Sequence, residues 1–345
     1  MRFLVLGGTR FLGRHLVEAA VERGHTVTTF TRGQSPTHEH AAVLPLGGDR
    51  DPDKGAGLAA IASGTWDAVL DTSGYVPRIV GASCDLLADR VRRYLFVSSL
   101  SVYADTSRPG VTEDAPREML DDPDSEDVAK QYGALKAACE DRVVARYAAR
   151  ATVVRPGLIV GPYDPTDRFT YWVARFTQPQ VLGERDGEAA VPAPPERPIQ
   201  VIDARDLAQW MVTLAERDIA GTYNAISPPG RWTMGDLVET LQTHGAHHDP
   251  APTPVWIDLP VLKNARIEPW TELPLWLPDD DPQFAGFFLA DDARARETGL
   301  VARPLAGTVA DTSAWLAGKW RPDAWQRVLT VERERRLVAL QGDRD

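Results

Sequence analysis

Tyr132 and Lys136 stand four residues apart in QYGALKAACE, a spacing that puts both on one face of a helix. A tyrosine with a pKa of about 10 exchanges protons poorly at neutral pH. A neighbouring ammonium favours the phenolate and draws that pKa toward the working range of an acid–base catalyst. YxxxK occurs by chance in many helices, so its weight rests on its surroundings. Those include FVSSLSVY, read as a strand whose end carries the hydroxyls of Ser99 and Ser101 at the carboxyl edge of a sheet, where open α/β folds bind their ligands.

A second chemical signal opens the chain. In MRFLVLGGTRFLG an apolar strand, Phe3 to Leu6, runs into Gly7, Gly8 and Gly13, the spacing of a strand-to-helix turn. Such a turn binds anions because unpaired amides at the helix start point at a phosphate and the helix dipole favours negative charge. Arg10 occupies the middle place, where a glycine normally lets a pyrophosphate approach bare backbone. At the end of the second strand, TFTRG puts Thr31 where NAD enzymes place a ribose-binding carboxylate, and Arg32 follows. No acid is there to hold a 2′-hydroxyl, and a guanidinium can fork onto a 2′-phosphate. The expected cofactor is therefore NADP rather than NAD, with Arg10 as a second phosphate ligand. Surface solvation is the alternative for either arginine alone, but their joint occurrence at two turns that meet favours the phosphate. Asp49, closing the third strand in LGGD, is expected to face the adenine amino group or else to cap a turn.

The elements that would position these groups alternate in type. RFLVLG, TVTTF, AVLPLGGD, DAVLDTSG, YLFVSSLSVY and TVVRPGLIV read as strands. Between several of them lie amphipathic helices such as FLGRHLVEAAVERG, with Leu12, Leu16, Ala19 and Ala20 on one face and Gly24 as a stop. Repetition of strand and helix implies a parallel sheet covered on both faces. The expected fold class is α/β, a doubly wound parallel sheet of Rossmann type with a second, smaller α+β substrate domain. The cofactor domain is expected at 1–162, with 199–216 returning to it as one more strand and helix. Residues 163–198 and 217–345, rich in proline loops and tryptophan, are assigned to the substrate domain. The tail WQRVLTVERERRLVAL reads as a charged surface helix in which Glu332 and Arg336 pair one turn apart.

With 345 residues, 43% hydrophobic and 25% charged, the chain has the composition of an ordinary globular protein. A net charge of −11 opposes a phosphate backbone, so DNA is not an expected partner. No apolar run approaches the roughly 20 residues of a membrane helix, and the first strand begins at Arg2, leaving no room for a signal peptide. No membrane association is expected. Cys84 and Cys139 are too few and too far apart for a disulfide framework or a metal knuckle, and as buried thiols they suit a reducing, cytoplasmic compartment. His244, His247 and His248 in HGAHHD have metal-like spacing but sit in a polar, proline-flanked connection. They are read as a solvated loop, and no metal site is expected.

The glycine turn, DTSGY, SSLSVY, YGALK, RPGLIVGP, VIDARDLA and GTYNA together resemble the short-chain dehydrogenase/reductase superfamily in its extended, NAD-dependent epimerase/dehydratase-like form, over nearly the whole chain. The resemblance implies that Ser99 polarises the substrate oxygen, Tyr132 transfers the proton, and Lys136 binds the nicotinamide ribose and lowers the tyrosine pKa. It implies a cofactor lying along Gly7, Gly8, Thr9, Arg10, Phe11, Leu12 and Gly13, together with Arg32, Asp49 and Arg50. Thr72, Ser73 and Gly74 would line its other side, and Val97, Pro156, Gly157 and Leu158 the nicotinamide. Tyr75, Ser101, Arg168 and Trp172 would face a small-molecule substrate, Arg168 either holding an anionic group or pairing with Asp164 or Asp167. Core packing is expected for EPWTELPLWLP, with a pocket wall as the alternative.

Arg10 departs from the extended pattern, which usually has glycine there. GGTRFLG, with YGALKAACE and GPYDPTDRFTYW, is similar to an atypical subgroup that includes bacterial reductase-like proteins and plant chloroplast RNA-binding proteins. Some members of that subgroup lack the catalytic residues, whereas this chain keeps all three. Leu100 and Ser101 follow Ser99 where sugar-nucleotide dehydratases carry an acidic pair, so dehydration is disfavoured. The sequence thus reads as an NADPH-dependent short-chain dehydrogenase/reductase acting on the carbonyl of a small or sugar-like molecule. Two alternatives stay open: a sugar-nucleotide epimerase, and a noncatalytic NADP-binding module that binds RNA by analogy. Extended members often dimerise through a four-helix contact that includes the YGALK helix, which admits a homodimer.

Overall fold

The computed structural model describes residues 1–35, 40–183, 187–245, 251–319, 325 and 328–343. The apolar runs of the first half become β1 (Arg2–Leu6), α1 (Phe11–Glu22), β2 (Thr26–Thr31), β3 (Val43–Gly47), β4 (Trp66–Asp71), α2 (Pro77–Leu87), β5 (Val91–Val97), α3 (Val128–Tyr147) and β6 (Ala151–Pro156). Then follow β7 (Leu158–Val160), α4 (Arg168–Thr177), β8 (Glu188–Pro192), β9 (Pro198–Ile199), β10 (Val201–Asp203), α5 (Ala204–Glu216) and β11 (Gly221–Ala225). The last third holds β12 (Trp232–Thr233), α6 (Met234–Gly245), β13 (Thr253–Ile257), α7 (Leu259–Asn264), α8 (Ala293–Glu297), α9 (Leu305–Lys319) and α10 (Val331–Gly342).

Seven strands form one parallel sheet in the order β11-β6-β5-β4-β1-β2-β3. Its central strands β1, β4 and β5 are buried on both faces because helices cover both. Phe3 and Val5 of β1 face Leu12 and Leu16 of α1 and the apolar side of α5, whereas Leu4 and Leu6 join the cluster of Val80 from α2 and Val143 from α3. This is the doubly wound α/β sheet expected from the alternating pattern. A separate apolar cluster, with Phe169, Trp172 and Phe176 of α4, Leu241 of α6, Ile257 and Trp276, gathers α4, α6, α7, α9 and α10 around the pairs β8–β13 and β9–β12, whereas α8 joins the sheet's cluster through Ala295. No helix among the described residues is long and apolar enough to cross a membrane.

Several elements differ from the sequence reading, each for a packing reason. The expected strand in 199–216 does not enter the large sheet: β10 pairs with β7, while α5 packs on α1 and delivers the chain to β11, which is the seventh strand. TVVRPGLIV is two strands, broken at Gly157, where a Cβ would lie 2.3 Å from Ile226 Cδ1. FVSSLSVY stops being a strand at Val97, and Leu100–Val102 is a 3-10 turn capped by the Ser99 hydroxyl, which accepts from Ser101 N at 3.1 Å. In α10 the expected Glu332–Arg336 pair does not form. Glu334 turns inward, 3% exposed, and accepts from Arg175 Nε at 2.9 Å. His244 lies in the last turn of α6, and His247 and His248 fall outside the described residues. Of the tryptophans in EPWTELPLWLP, Trp276 is core and Trp270 is on a cleft wall.

A buried polar network joins α3 to the sheet. Arg155 at the end of β6 donates to both carboxylate oxygens of Glu140 on α3, at 2.9 and 2.7 Å, and also to Tyr103 Oη and Glu113 O. Tyr103 Oη donates in turn to Asn224 Oδ1 on β11, and Asn224 N donates to Glu113 Oε1. Removing Glu140 leaves the Arg155 guanidinium buried without its counter-charge, with only Tyr103 Oη and Glu113 O to accept from it. Glu140→Ala is expected to lose about 3–5 kcal/mol of stability in urea unfolding by stranding the Arg155 charge. A loss below about 1 kcal/mol would show that water reaches the arginine.

Candidate active site

The principal cleft, about 1080 Å³, follows the carboxyl edge of the sheet and takes in the ends of β1, β2, β4, β5 and β6. At one end is the glycine turn. Gly7 has φ +112°, and a Cβ there would lie 2.4 Å from Thr72 Oγ1, itself donating to Leu6 O at 3.0 Å. Gly13 lets α1 press on the turn, since its Cβ would lie 2.8 Å from Gly8 N. Arg10 is the N-cap residue of α1 in an extended conformation and no side chain caps the first turn, so its amides, at Phe11, Leu12 and Gly13 on the cleft wall, are available to an anion. Thr9 lines the cleft as well. Gly8 does not, because it packs beneath the turn, where a Cβ would lie 2.8 Å from Thr29 Cγ2.

Arg10 and Arg32 line the same end of the cleft and are both exposed. Arg10 Nε donates to Ser35 Oγ at 2.8 Å, which draws the two turns together. Asp49 lines the wall and also accepts from Asp51 N at 3.0 Å, so it closes a turn. Arg50 differs from the expectation. It borders the cleft, but its guanidinium is engaged beneath it, donating to Asp71 at 2.7 and 2.8 Å and to Ser83 and Ser73. Burial opposes that charge, and Asp71 beside it more than restores it, holding the guanidinium pKa above its ordinary value. A carboxylate at 0% exposure needs such a partner more than a cofactor needs this arginine.

Ser99, Tyr132 and Lys136 come together on the cleft wall beside Val97, Pro156, Gly157 and Leu158. Helix α3 is broken at Gln131 (φ −124°, ψ 31°), so the regular helix begins at Tyr132 itself. Gly133 then allows a backbone approach that a side chain would block: a Cβ would lie 2.1 Å from Ser101 O. One turn on, Lys136 is 2% exposed. Its Nζ donates to Gly74 O at 2.7 Å and Val97 O at 2.5 Å and lies 4.4 Å from the Phe96 ring centroid. Gly74 therefore acts through its carbonyl behind the wall and does not line the cleft. Ser73 and Thr72 do line it, each donating back to Leu6 O.

The electrostatics differ from the simple picture of an ammonium lowering a phenol. Burial raises the Tyr132 pKa above its ordinary value; the nearby Tyr75 adds to this, while a hydrogen bond with Ser99 and the charge of Arg168 act in the opposite direction. The ammonium is the group displaced downward, with desolvation bringing Lys136 from 10.5 to about 8.

Of the residues expected to face a substrate, Tyr75, Ser101 and Arg168 line the cleft, and Trp172 does not. Trp172 is 0% exposed and donates from Nε1 to Pro274 O at 2.9 Å. Helix α4 is buried from Phe169 to Thr177, so only its first residue reaches the cleft. The sequence reading missed Trp270 as a definite wall residue, and missed Phe287, Phe288, Thr106 and Thr166. The run FAGFF inside an acidic loop was the available signal.

A model of the NAD dependent epimerase/dehydratase family matches residues 3–225. The chain belongs to that family. Among curated relatives it is 35% identical over 183 residues to a 2-alkyl-3-oxoalkanoate reductase of Stenotrophomonas maltophilia (strain K279a), covering 48% of this chain and 52% of that protein. It is 28% identical over 186 residues to the chloroplast stem-loop binding protein of 41 kDa b of Arabidopsis thaliana, covering 49% of this chain and 46% of that protein. The chain thus spans about half the length of the curated relatives it matches. Among solved structures, the Bordetella bronchiseptica enzyme WbmH in complex with NAD+ superposes with a TM-score of 0.67 at 17% identity, covering 92% of this chain and 98% of that one. The UDP-glucuronic acid 4-epimerase of Bacillus cereus in complex with NAD gives 0.65 at 14%, covering 95% and 100%. At such identities these likenesses show the fold alone.

The depressed Lys136 pKa has a direct consequence. In lysine-labelled protein without added cofactor, one side chain is expected to titrate near pH 8 by carbon NMR, and that signal is expected to vanish in Lys136→Met. Because the folded pKa lies below the unfolded one, this group adds stability as pH rises from about 8 toward 10.5. A midpoint at the ordinary 10.5 would mean that water reaches the ammonium.

Proposed function

We propose that the chain is an NADPH-dependent oxidoreductase that reduces the carbonyl of a small molecule, with Tyr132 as proton donor. The observation that carries this reading is the convergence of Ser99, Tyr132 and Lys136 on one wall of the cleft whose other end is the uncapped start of α1. The residues present fit a dinucleotide: the Gly7 and Gly13 cradle has no room for side chains. The Lys136 ammonium has three N–H groups, two of them on carbonyls, which leaves one for a ribose hydroxyl. When bound, NADPH supplies the hydride.

The protein's own part is to hold the substrate oxygen and deliver a proton to it. Ser99 donates to the carbonyl oxygen, an interaction that strengthens as negative charge develops there. Tyr132 donates the proton. A phenol kept above its ordinary pKa by burial is fully protonated at neutral pH, which suits reduction, where the side chain must begin as an acid. Lys136 holds the ribose and stabilises the phenolate left behind. Arg10 and Arg32 favour NADPH, since no carboxylate stands at Thr31 to accept from a 2′-hydroxyl. The absence of an acidic pair after Ser99 speaks against dehydration, and the net charge of −11 speaks against an RNA backbone as ligand.

Loss of NADPH absorbance with a panel of aldehydes, ketones and keto acids tests the reading. With a substrate found, Tyr132→Phe is expected to lower turnover by about 100- to 10,000-fold while cofactor binding stays within about twofold. NADPH is expected to bind at least about tenfold more tightly than NADH, an order typical of one to two charge-assisted contacts, and Arg32→Asp to remove that preference. An undiminished rate in Tyr132→Phe, or tighter NADH binding in the wild type, would overturn the respective assignment.

A further inference from the structure

The turn that follows β4 meets Lys136 twice. Gly74 is pressed onto the Phe96 ring, where a Cβ would lie 2.5 Å from Cε2, and its carbonyl accepts from the ammonium at 2.7 Å. The next residue, Tyr75, is thereby carried over the cleft. Its ring centroid lies 5.2 Å from Lys136 Nζ and 6.4 Å from the Tyr132 ring centroid. On the sheet side the ammonium has Phe96, which is 0% exposed, and the carbonyls of Gly74 and Val97. On the cleft side it has the ring of Tyr75. Tyr75 is 45% exposed, whereas Lys136 is 2% exposed, so the layer between ammonium and open cleft is one ring thick.

The charges around Lys136 do not explain its displaced pKa. Asp71 at the end of β4 and Glu140 one turn along α3 favour the ammonium, and Arg50 opposes it. The Cys139 thiol is pushed up to about 12 by burial and stays neutral. Tyr75 and Tyr132 are phenols that burial holds above their ordinary pKa, so they are neutral too. Two carboxylates against one guanidinium would raise the lysine, yet it lies near 8, so loss of water outweighs them. An aromatic face attracts a cation but accepts no strong hydrogen bond from the third N–H.

We propose that the Tyr75 ring is the cover that keeps cleft water from the Lys136 ammonium, which makes Tyr75 a positioning residue acting through Lys136. Its part in the reaction rests on the reading that Lys136 holds the nicotinamide ribose; the covering itself does not. A dry ammonium keeps its third N–H for a ribose hydroxyl instead of sharing it with solvent. It also stabilises a Tyr132 phenolate more strongly than a hydrated one does, because the medium between the two charges screens less.

Lysine-labelled protein without added cofactor reads the cover by carbon NMR. Tyr75→Ala is expected to raise the Lys136 midpoint by at least about one pH unit, tenfold in proton affinity, because water returns to the ammonium. Tyr75→Phe keeps the ring and is expected to keep the wild-type midpoint. With a substrate found, the alkaline limb of kcat/KM for NADPH, which reports the free enzyme, is expected to move up in Tyr75→Ala and to return in Tyr75→Phe. An unmoved midpoint in Tyr75→Ala would overturn the proposal, and so would a midpoint in Tyr75→Phe that rises as far as in Tyr75→Ala. A wild-type midpoint at the ordinary 10.5, which involves no variant and hence no question of folding, would overturn it as well. If the midpoints move as expected but no carbonyl compound is reduced, the cover stands and the oxidoreductase reading fails.

Discussion

Lys136 is an ammonium held almost without water, and much of the cleft is arranged by what compensates for its desolvation. Two carbonyls, one just after β4 and one ending β5, accept from it, and the face of Phe96 lies beside it. Those contacts lock α3 against the carboxyl edge of the sheet, because a buried cation whose partners moved away would lose several kcal/mol. Tyr132 sits one turn before Lys136 and Glu140 one turn after, so the same helix face carries the phenol, the ammonium and the carboxylate that holds Arg155. Gly133 completes the fit by bringing the helix backbone onto the Ser99–Ser101 turn. The position of the phenol is thus set by three strands at once.

The cleft that results changes character along its length. Near the glycine turn it offers uncapped amides and two exposed guanidinium groups, a surface for phosphates. In the middle are hydroxyls and one buried ammonium. Past Arg168 it is walled by aromatic rings held by backbone bonds between remote segments. The sequence order of these surfaces follows the fold: loops at the carboxyl ends of the strands meet where the sheet's connections diverge, and the wall farthest from the sheet comes from the last third of the chain.

The legible part of the site was the part whose geometry is local. Glycines at Gly7 and Gly13, the hydroxyl at the end of β5 and the Tyr132–Lys136 spacing each report on one turn or one helix face, and the sheet brings strand ends together by its own regularity. Other parts depend on partners that no local pattern names. Arg50 was expected at the cofactor, and no local pattern says that its guanidinium pairs with Asp71 at the end of β4. Trp172 lies one turn beyond Arg168 and shares its helical face by spacing, yet α4 is enclosed along almost its whole length, so that ring belongs to the core. The returning strand was expected before the helix of 199–216, yet it is β11, after α5, that pairs with β6, while β10 pairs with β7. The aromatic wall was legible only in part for the same reason: FAGFF marks aromatic rings in an acidic loop but does not say that Thr106 and Trp270 meet them.

The structure of the protein with NADP+ bound bears most directly on the claim that this helix face organises carbonyl reduction. The nicotinamide ribose is predicted to lie within hydrogen-bond distance, about 3 Å, of Lys136 Nζ, with the Tyr132 hydroxyl beside the nicotinamide and the 2′-phosphate between Arg10 and Arg32. A ribose placed away from Lys136, or a 2′-phosphate that touches neither arginine, would contradict it.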